Sequence, residues 1–381
     1  MAVETSIPII VDRNFPAAAF GEVAAEIGRS GVVDYMQMWD QLTCWFPRSL
    51  WTPERVPMAT VVPDCDSFPD WCVMAGYGAA LAPGLGTVIS MDAIRRGPTE
   101  LTQTMLTLAN VTQGKSIFQI GAGEVKQCKP FGWKRSQGIR RLEDFYKIFH
   151  AYWESTEPID FEGNFTTLDQ AWIGVAKGHR PQIWGLGGGP TITDMATTYA
   201  DGFATMAPMV WTSPSHAAEV IGAMKTQLAE KGRDPEAFSF GIWAAILTHE
   251  DETVIDRALD HELMRWHTVV IGRIIQGDWE DRDGITGPMP PDWHYAVNML
   301  PTNITADQAH EWIDRTTREQ SEKTWIHGTP DRVARQLQEY VDVGVNWVGV
   351  LDVLPFVLEP DDARAALPRS LEICRHLKAF G

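Results

Sequence analysis

Short β-rich apolar runs alternate along the chain with amphipathic stretches. Ser6–Val11, Val33–Trp39, Leu85–Met91, Ser116–Gly121, Gln182–Leu186, Gly202–Ala207, Ser239–Leu247 and Asn346–Leu351 read as strands. Between them, Pro16–Arg29 places its Ala, Val and Ile residues on one helical face, and Pro98 opens a helix at a position where its missing N–H costs nothing. Helices are also expected over Gly138–Trp153, Thr191–Tyr199, Pro214–Lys231, Pro330–Val343 and Asp361–Leu377. Eight strand–helix units with right-handed crossovers make either a closed (β/α)8 barrel or an open doubly wound sheet, and the count favours the barrel. No linker or composition shift divides residues 1–381, which points to one elaborated domain. Two segments exceed the repeat, Gln41–Gly84 and Thr268–Trp325. Both follow strand C-termini, so in a barrel they would cover the catalytic face.

Charge narrows the partners. Lys and Arg total 32 against 50 Asp and Glu, a net −18 that repels nucleic acid and anionic lipid surfaces. The opening MAVETSIPIIVDRNF has a Glu where a signal peptide carries basic residues and an apolar stretch too short for a bilayer, so a cytoplasmic location is expected. The five cysteines are odd in number and form no C-x-x-C pair, which argues for free thiols. His261 and His267 would lie on different helix faces, and no protein metal site is expected. No G-x-S-x-G, P-loop or H-E-x-x-H motif occurs.

Four segments could carry chemistry. In IWGLGGGPTITDMA, Gly187, Gly188 and Gly189 follow a strand and Pro190 opens a helix, a start that favours an anion such as phosphate; a tight turn alone is the other reading. Between Glu124 and Lys147 lie Lys126, Lys129, Lys134, Arg135, Arg140, Arg141 and Lys147 against Glu124, Glu143 and Asp144, a local excess that suits an anionic cofactor or a solvated helix face. Glu124 itself follows the fourth strand, where desolvation would suit a proton donor or shuttle. Asp40 and Trp45 follow the second strand and could meet a ring N–H and a substrate, or cap a helix and fill core. Tryptophans and methionines of the two long segments could line an apolar pocket, although small cores of their own are commoner. His179, His216 and His327 fall near element ends and read as surface or satisfied histidines.

AAEIGRSGVVDYMQMWDQL, LGTVISMDAIRRGP, QIGAGE, PQIWGLGGGP, YADGFAT and GTPDRVARQLQEYVDVGVNWV occur in an order that resembles the bacterial luciferase-like superfamily, and within it the coenzyme F420-dependent oxidoreductases. FPRS at Phe46–Ser49 and IRRGP at Ile94–Pro98 are similar to the phthiodiolone ketoreductase group. The resemblance implies a (β/α)8 barrel with a deazaflavin ring at its C-terminal mouth, and a homodimer. It implies a non-prolyl cis bond at Val88–Ile89 behind the ring, and the coenzyme phosphate on Gly187, Gly188 and Gly189. Asp40, Met91, Ala122 and Gln127 would also face the coenzyme, Glu124 would handle a proton, and Trp45 would flank the substrate. Sugar-phosphate and alcohol dehydrogenases of the family have a histidine where this chain has Gln41. An amide cannot take a proton from an alcohol, so reduction of a hydrophobic carbonyl or an activated double bond is the expected direction. An FMN-dependent monooxygenase and a non-catalytic coenzyme-binding homologue are the alternatives.

Overall fold

The computed structural model describes residues 3–380. Its strands are β1 (Glu4–Pro8), β2 (Tyr35–Trp39), β3 (Gly86–Asp92), β4 (Ser116–Gly121), β5 (Ile159–Glu162), β6 (Thr167–Ala171), β7 (Gln182–Leu186), β8 (Gly202–Ala207), β9 (Ser239–Thr248), β10 (Ile326–Gly328) and β11 (Trp347–Asp352). The main sheet runs β10-β9-β11-β1-β2-β3-β4-β7-β8, and a further β8–β9 pairing closes it. Eight parallel strands form the barrel, with β10 added to the C-terminal end of β9 through Ile246–Thr248. The (β/α)8 expectation holds. β2, β3 and β4 are buried at every position, as strands between a filled interior and a ring of helices must be.

Large and small side chains share the barrel interior. Trp184 and Trp347 meet edge-on at 5.8 Å and 79°. A Cβ at Gly241 would lie 2.8 Å from Trp347 and 2.9 Å from Trp184, so only glycine admits both rings. A polar layer also spans the interior: Ser6 donates to Gln37 (3.1 Å), while Ser90 (2.8 Å) and the Trp243 indole (2.7 Å) donate to Gln119 Oε1.

The structure corrects several boundaries. The first long segment is shorter than Gln41–Gly84, because Trp71–Leu81 is the barrel helix between β2 and β3. Its sequence, WCVMAGYGAAL, is apolar all round and lacks the helical stripe that would reveal it. Asp70 caps it by accepting from the Cys72 and Val73 N–H groups. Beyond β9 the chain makes six short α-helices and one 3-10 turn before β10, beginning with Glu252–Asp260 and Glu262–Ile271, upstream of the expected Thr268 boundary. β5 and β6 form an unexpected antiparallel hairpin, and the last helix divides into Pro360–Ala363 and Ala366–Phe380. Among the described residues the only cis peptide is Ala207–Pro208, so the bond expected to be cis at Val88–Ile89 is trans. Regular pairing of β3 with β2 and β4 on both sides accommodates an ordinary extended backbone there.

Candidate active site

A cavity of about 530 Å³ opens at the C-terminal ends of β2, β3, β4, β7 and β8. Asp40, Gln41, Met91, Ala122, Glu124, Gln127, Gly187, Gly188 and Gly189 all line it, so residues from four separate stretches of chain converge. Val88 and Ile89 do not; both are fully buried within β3. Trp45 is also outside it, lining a neighbouring chamber. Its indole stands edge-on to Trp39 at 5.9 Å, and Trp39 in turn stacks on Trp243 at 5.6 Å. Trp39 lines both spaces and forms part of the partition.

Asp40 is fixed by the IRRGP segment. Arg96 grips both of its carboxylate oxygens, at 3.1 and 3.2 Å, and Arg95 approaches Oδ2 at 3.4 Å while also donating to the Asp40 carbonyl. Arg95 is itself paired to Asp92 at the end of β3. This clamp orients Asp40 but leaves each oxygen further acceptor capacity.

Lys126 is the organising residue, and sequence reasoning does not separate it from its basic neighbours. Only 1% of its surface is exposed, and its ammonium lies 2.9 Å from Glu124 Oε2, 2.9 Å from the Thr43 carbonyl and 3.4 Å from Gln41 Oε1. One cation therefore holds the side chains of Gln41 and Glu124 together. The Gln41 amide oxygen accepts from Lys126, which leaves its NH2 to donate into the cavity. Gln127 is spent differently: it accepts from the Leu42 and Thr43 N–H groups and donates to the Thr43 carbonyl, pinning the loop that carries Gln41.

The remaining basic residues divide. Arg140 bonds Asn164, Arg141 bonds Gln137 and Lys147 pairs with Glu143, a surface role. Arg135 lines the cavity, and its buried Nε has no partner among the described residues. Burial holds its guanidinium below the usual arginine range, partly offset by the charges of Cys128, Glu124 and Asp92. An unpaired guanidinium N–H in such a place calls for an anion.

The glycine turn fits an anion too. Gly187 has φ +151°, a region open to glycine, and a Cβ on Gly189 would meet nothing within 4 Å. Helix Pro190–Tyr199 begins directly after it. The turn therefore leaves space for a phosphate against backbone N–H groups. The second long segment contributes His294, Tyr295, Asp278 and Arg282, none of them marked by a motif. Burial pushes the Tyr295 hydroxyl well above its ordinary range, with the Glu124 charge adding to it. His216 lines the cavity, whereas His179 and His327 do not. Among the described residues no group of three or more His, Cys, Asp or Glu side chains could hold a metal ion, and no helix is long and apolar enough to cross a membrane.

A parallel barrel whose strand ends converge on one cavity, with a glycine turn leading into a helix after its fifth barrel strand, defines a TIM-barrel scaffold with its pocket at the C-terminal face. The chain belongs to the luciferase-like monooxygenase family, whose model matches residues 40–346. It is 26% identical over 320 residues to the phthiodiolone/phenolphthiodiolone dimycocerosates ketoreductase of Mycobacterium kansasii, covering 82% of this chain and 85% of that protein. Among solved structures it is similar to an F420-dependent secondary alcohol dehydrogenase in complex with an F420-acetone adduct, with a TM-score of 0.67, 17% identity, and 92% and 94% of the two chains covered. It is also similar to riboflavin lyase with modified FMN and riboflavin, with a TM-score of 0.65, 13% identity, and 98% and 92% covered. At these identities the solved structures speak for the fold.

Proposed function

We propose that the protein is a coenzyme F420-dependent oxidoreductase that reduces a hydrophobic ketone or activated double bond. The observation that carries this reading is that Gln41 and Glu124, on the wall of the cavity that also holds the glycine turn, are tied together from behind by the buried Lys126 ammonium. The likeness to the ketoreductase and to the F420-bound dehydrogenase supports it. When bound, the reduced deazaflavin supplies a hydride. The protein's part is orientation and proton supply. The Gly187–Gly189 turn and Arg135 would hold the phosphate, while Asp40, locked by Arg96, would accept from a ring N–H. Met91 and Ala122 offer apolar contact at the ends of β3 and β4. The Gln41 NH2 donates to the substrate oxygen, and Glu124, which faces the cavity, relays to that oxygen the proton that the Lys126 ammonium behind it supplies. Trp45 acts through Trp39 in this arrangement, since it stands behind that ring. The same reading has the enzyme working as a cytoplasmic homodimer on a small hydrophobic molecule.

The test mixes purified protein with oxidised F420 and, separately, with FMN while following tryptophan fluorescence. A ketone series is then added to the protein with reduced F420, and reoxidation is followed by absorbance. Saturable quenching by F420 and ketone-dependent reoxidation are expected. Tight FMN binding without any F420 effect would overturn the proposal in favour of an FMN monooxygenase, a reading kept open by the fold shared with riboflavin lyase.

A further inference from the structure

The second chamber, of about 520 Å³, lies across Trp39 from the cavity just described and is lined mainly by apolar side chains, among them Ile7, Ile9, Phe46, Phe68, Val350 and Phe356. Its size is in the range of small-molecule sites. Nothing in the mechanism above uses this volume.

Among the described residues, three buried polar atoms on its lining have no partner. Trp39 and Trp45 are 5% and 7% exposed, and the indole N–H of each has no acceptor among the described residues. Asp352, at the C-terminal end of β11, accepts from the Leu354 N–H with Oδ1 (3.1 Å), while Oδ2 has no partner. Buried polar groups are nearly always satisfied, so orphaned donors beside an apolar space point to an uncharged ligand that brings an acceptor. Of the Asp, Glu and Arg residues on the lining, Arg364 is paired to Asp361 at 2.6 Å and Asp64 to Arg48 at 3.3 Å, and burial raises Asp352 towards its neutral form, which leaves the carboxylates of Asp12 and Glu26. That acidity disfavours a carboxylate or phosphate headgroup.

We propose that the chamber binds the hydrocarbon portion of an uncharged aliphatic carbonyl compound, with its oxygen end directed to the tryptophan partition. The carbonyl class rests on the oxidoreductase reading; the apolar, uncharged character rests on the chamber itself. Trp39 and Trp45 then set which part of a long substrate reaches the catalytic cavity and which part stays behind.

Isothermal calorimetry with 2-pentanone, 2-tridecanone and dodecanoate, on the full chain without coenzyme, tests the assignment. 2-Tridecanone is expected to bind at least about tenfold tighter than 2-pentanone, because each buried methylene adds to transfer free energy. Dodecanoate is expected to bind more weakly than the ketone of similar length. Ala366→Phe and, independently, Val62→Phe insert a ring from two different walls and are expected to cut 2-tridecanone affinity at least about tenfold in whichever variant keeps the wild-type circular dichroism. A crystal grown with a terminally brominated 2-undecanone should show bromine among Phe46, Phe68 and Phe356. Equal affinity for short and long ketones, preference for dodecanoate, or bromine located elsewhere would each overturn the proposal. If long ketones bind the chamber and F420 does not bind the protein, the coenzyme reading alone fails; if F420 binds and long ketones do not, the chamber alone fails.

Discussion

Lys126 Nζ lies 2.9 Å from Oε2 of Glu124, which lines the candidate active site, and the lysine itself is almost wholly buried behind that wall. A buried ammonium beside a carboxylate and an amide oxygen is both a support and a source of a proton. Glu124 alone, the residue that its place after the fourth strand singles out, is half of that arrangement.

Lys126→Met should lower kcat/KM for ketone reduction by about 10²-fold or more, within the range of lost general acid catalysis. Coenzyme affinity should stay within about tenfold, near 1.4 kcal/mol. Glu124→Gln should lose turnover in the same way. Stopped-flow reoxidation of reduced F420 and fluorescence titration separate the two effects. Turnover that persists in both variants would remove the pair from the mechanism and leave Tyr295 and water as proton sources.

Gly189→Val probes the space beside the turn. Gly189 has an ordinary negative φ, and a Cβ placed on it would meet nothing within 4 Å, so the fold should tolerate the change while the side chain occupies the anion's place. Coenzyme affinity is expected to fall at least about tenfold, or 1.4 kcal/mol, with little change in unfolding midpoint. Gly187→Ala should behave differently: its φ of +151° and a contact of 2.8 Å with Ile192 predict a stability loss of ~1–3 kcal/mol. Denaturant melts beside coenzyme titrations distinguish a blocked site from a strained backbone.

Arg135→Gln should weaken coenzyme binding about tenfold and reduce its salt dependence, because its guanidinium on the cavity wall has a buried Nε without a partner among the described residues. Arg140→Gln, which changes a residue bonded to Asn164 outside the cavity, should leave both unchanged. Titration at low and high ionic strength checks the contrast. Equal effects at the two positions would mean that the basic segment acts only through long-range charge.

Legibility in the sequence follows from what periodicity can encode. Barrel strands are apolar through their length and stand out, so β4, β7 and β8 match their expected limits, whereas helix Trp71–Leu81 is apolar on every face and its period is invisible. The glycine turn is readable because three glycines between a strand and a proline-led helix have few uses. Which of seven neighbouring cations turn inward is not: Lys126 and Arg135 differ from Arg140 only through the path of the short helices and turns between them. The pairing of Asp40 with Arg96 spans 56 residues and needs β2 and β3 side by side before it exists. Sequence order does not show that Trp39 stands between Trp45 and the cavity, so that Trp45 lines the neighbouring chamber instead.

Stability against pH should expose two buried groups with opposing effects. His267 sits among Trp45, Phe46 and Trp325, and burial pushes its imidazole from 6.5 down to about 3. Between those limits the unfolded chain binds a proton that the native state refuses, so this group makes stability fall as pH falls. Asp352 is pushed by burial from 3.8 up to about 7. Over that span the native state keeps a proton that the unfolded chain has released, so this group makes stability fall as pH rises, levelling above its folded value. Each slope can reach about 1.4 kcal/mol per pH unit, and they nearly cancel between pH 4 and 6.5. His267→Leu should therefore uncover a stability that declines with rising pH, relative to wild type, and Asp352→Asn one that increases. Urea unfolding of the wild type and both variants at pH 4.5, 5.5, 6.5 and 7.5 measures the differences. Parallel profiles for the three proteins would show that neither group changes its protonation on folding in this window.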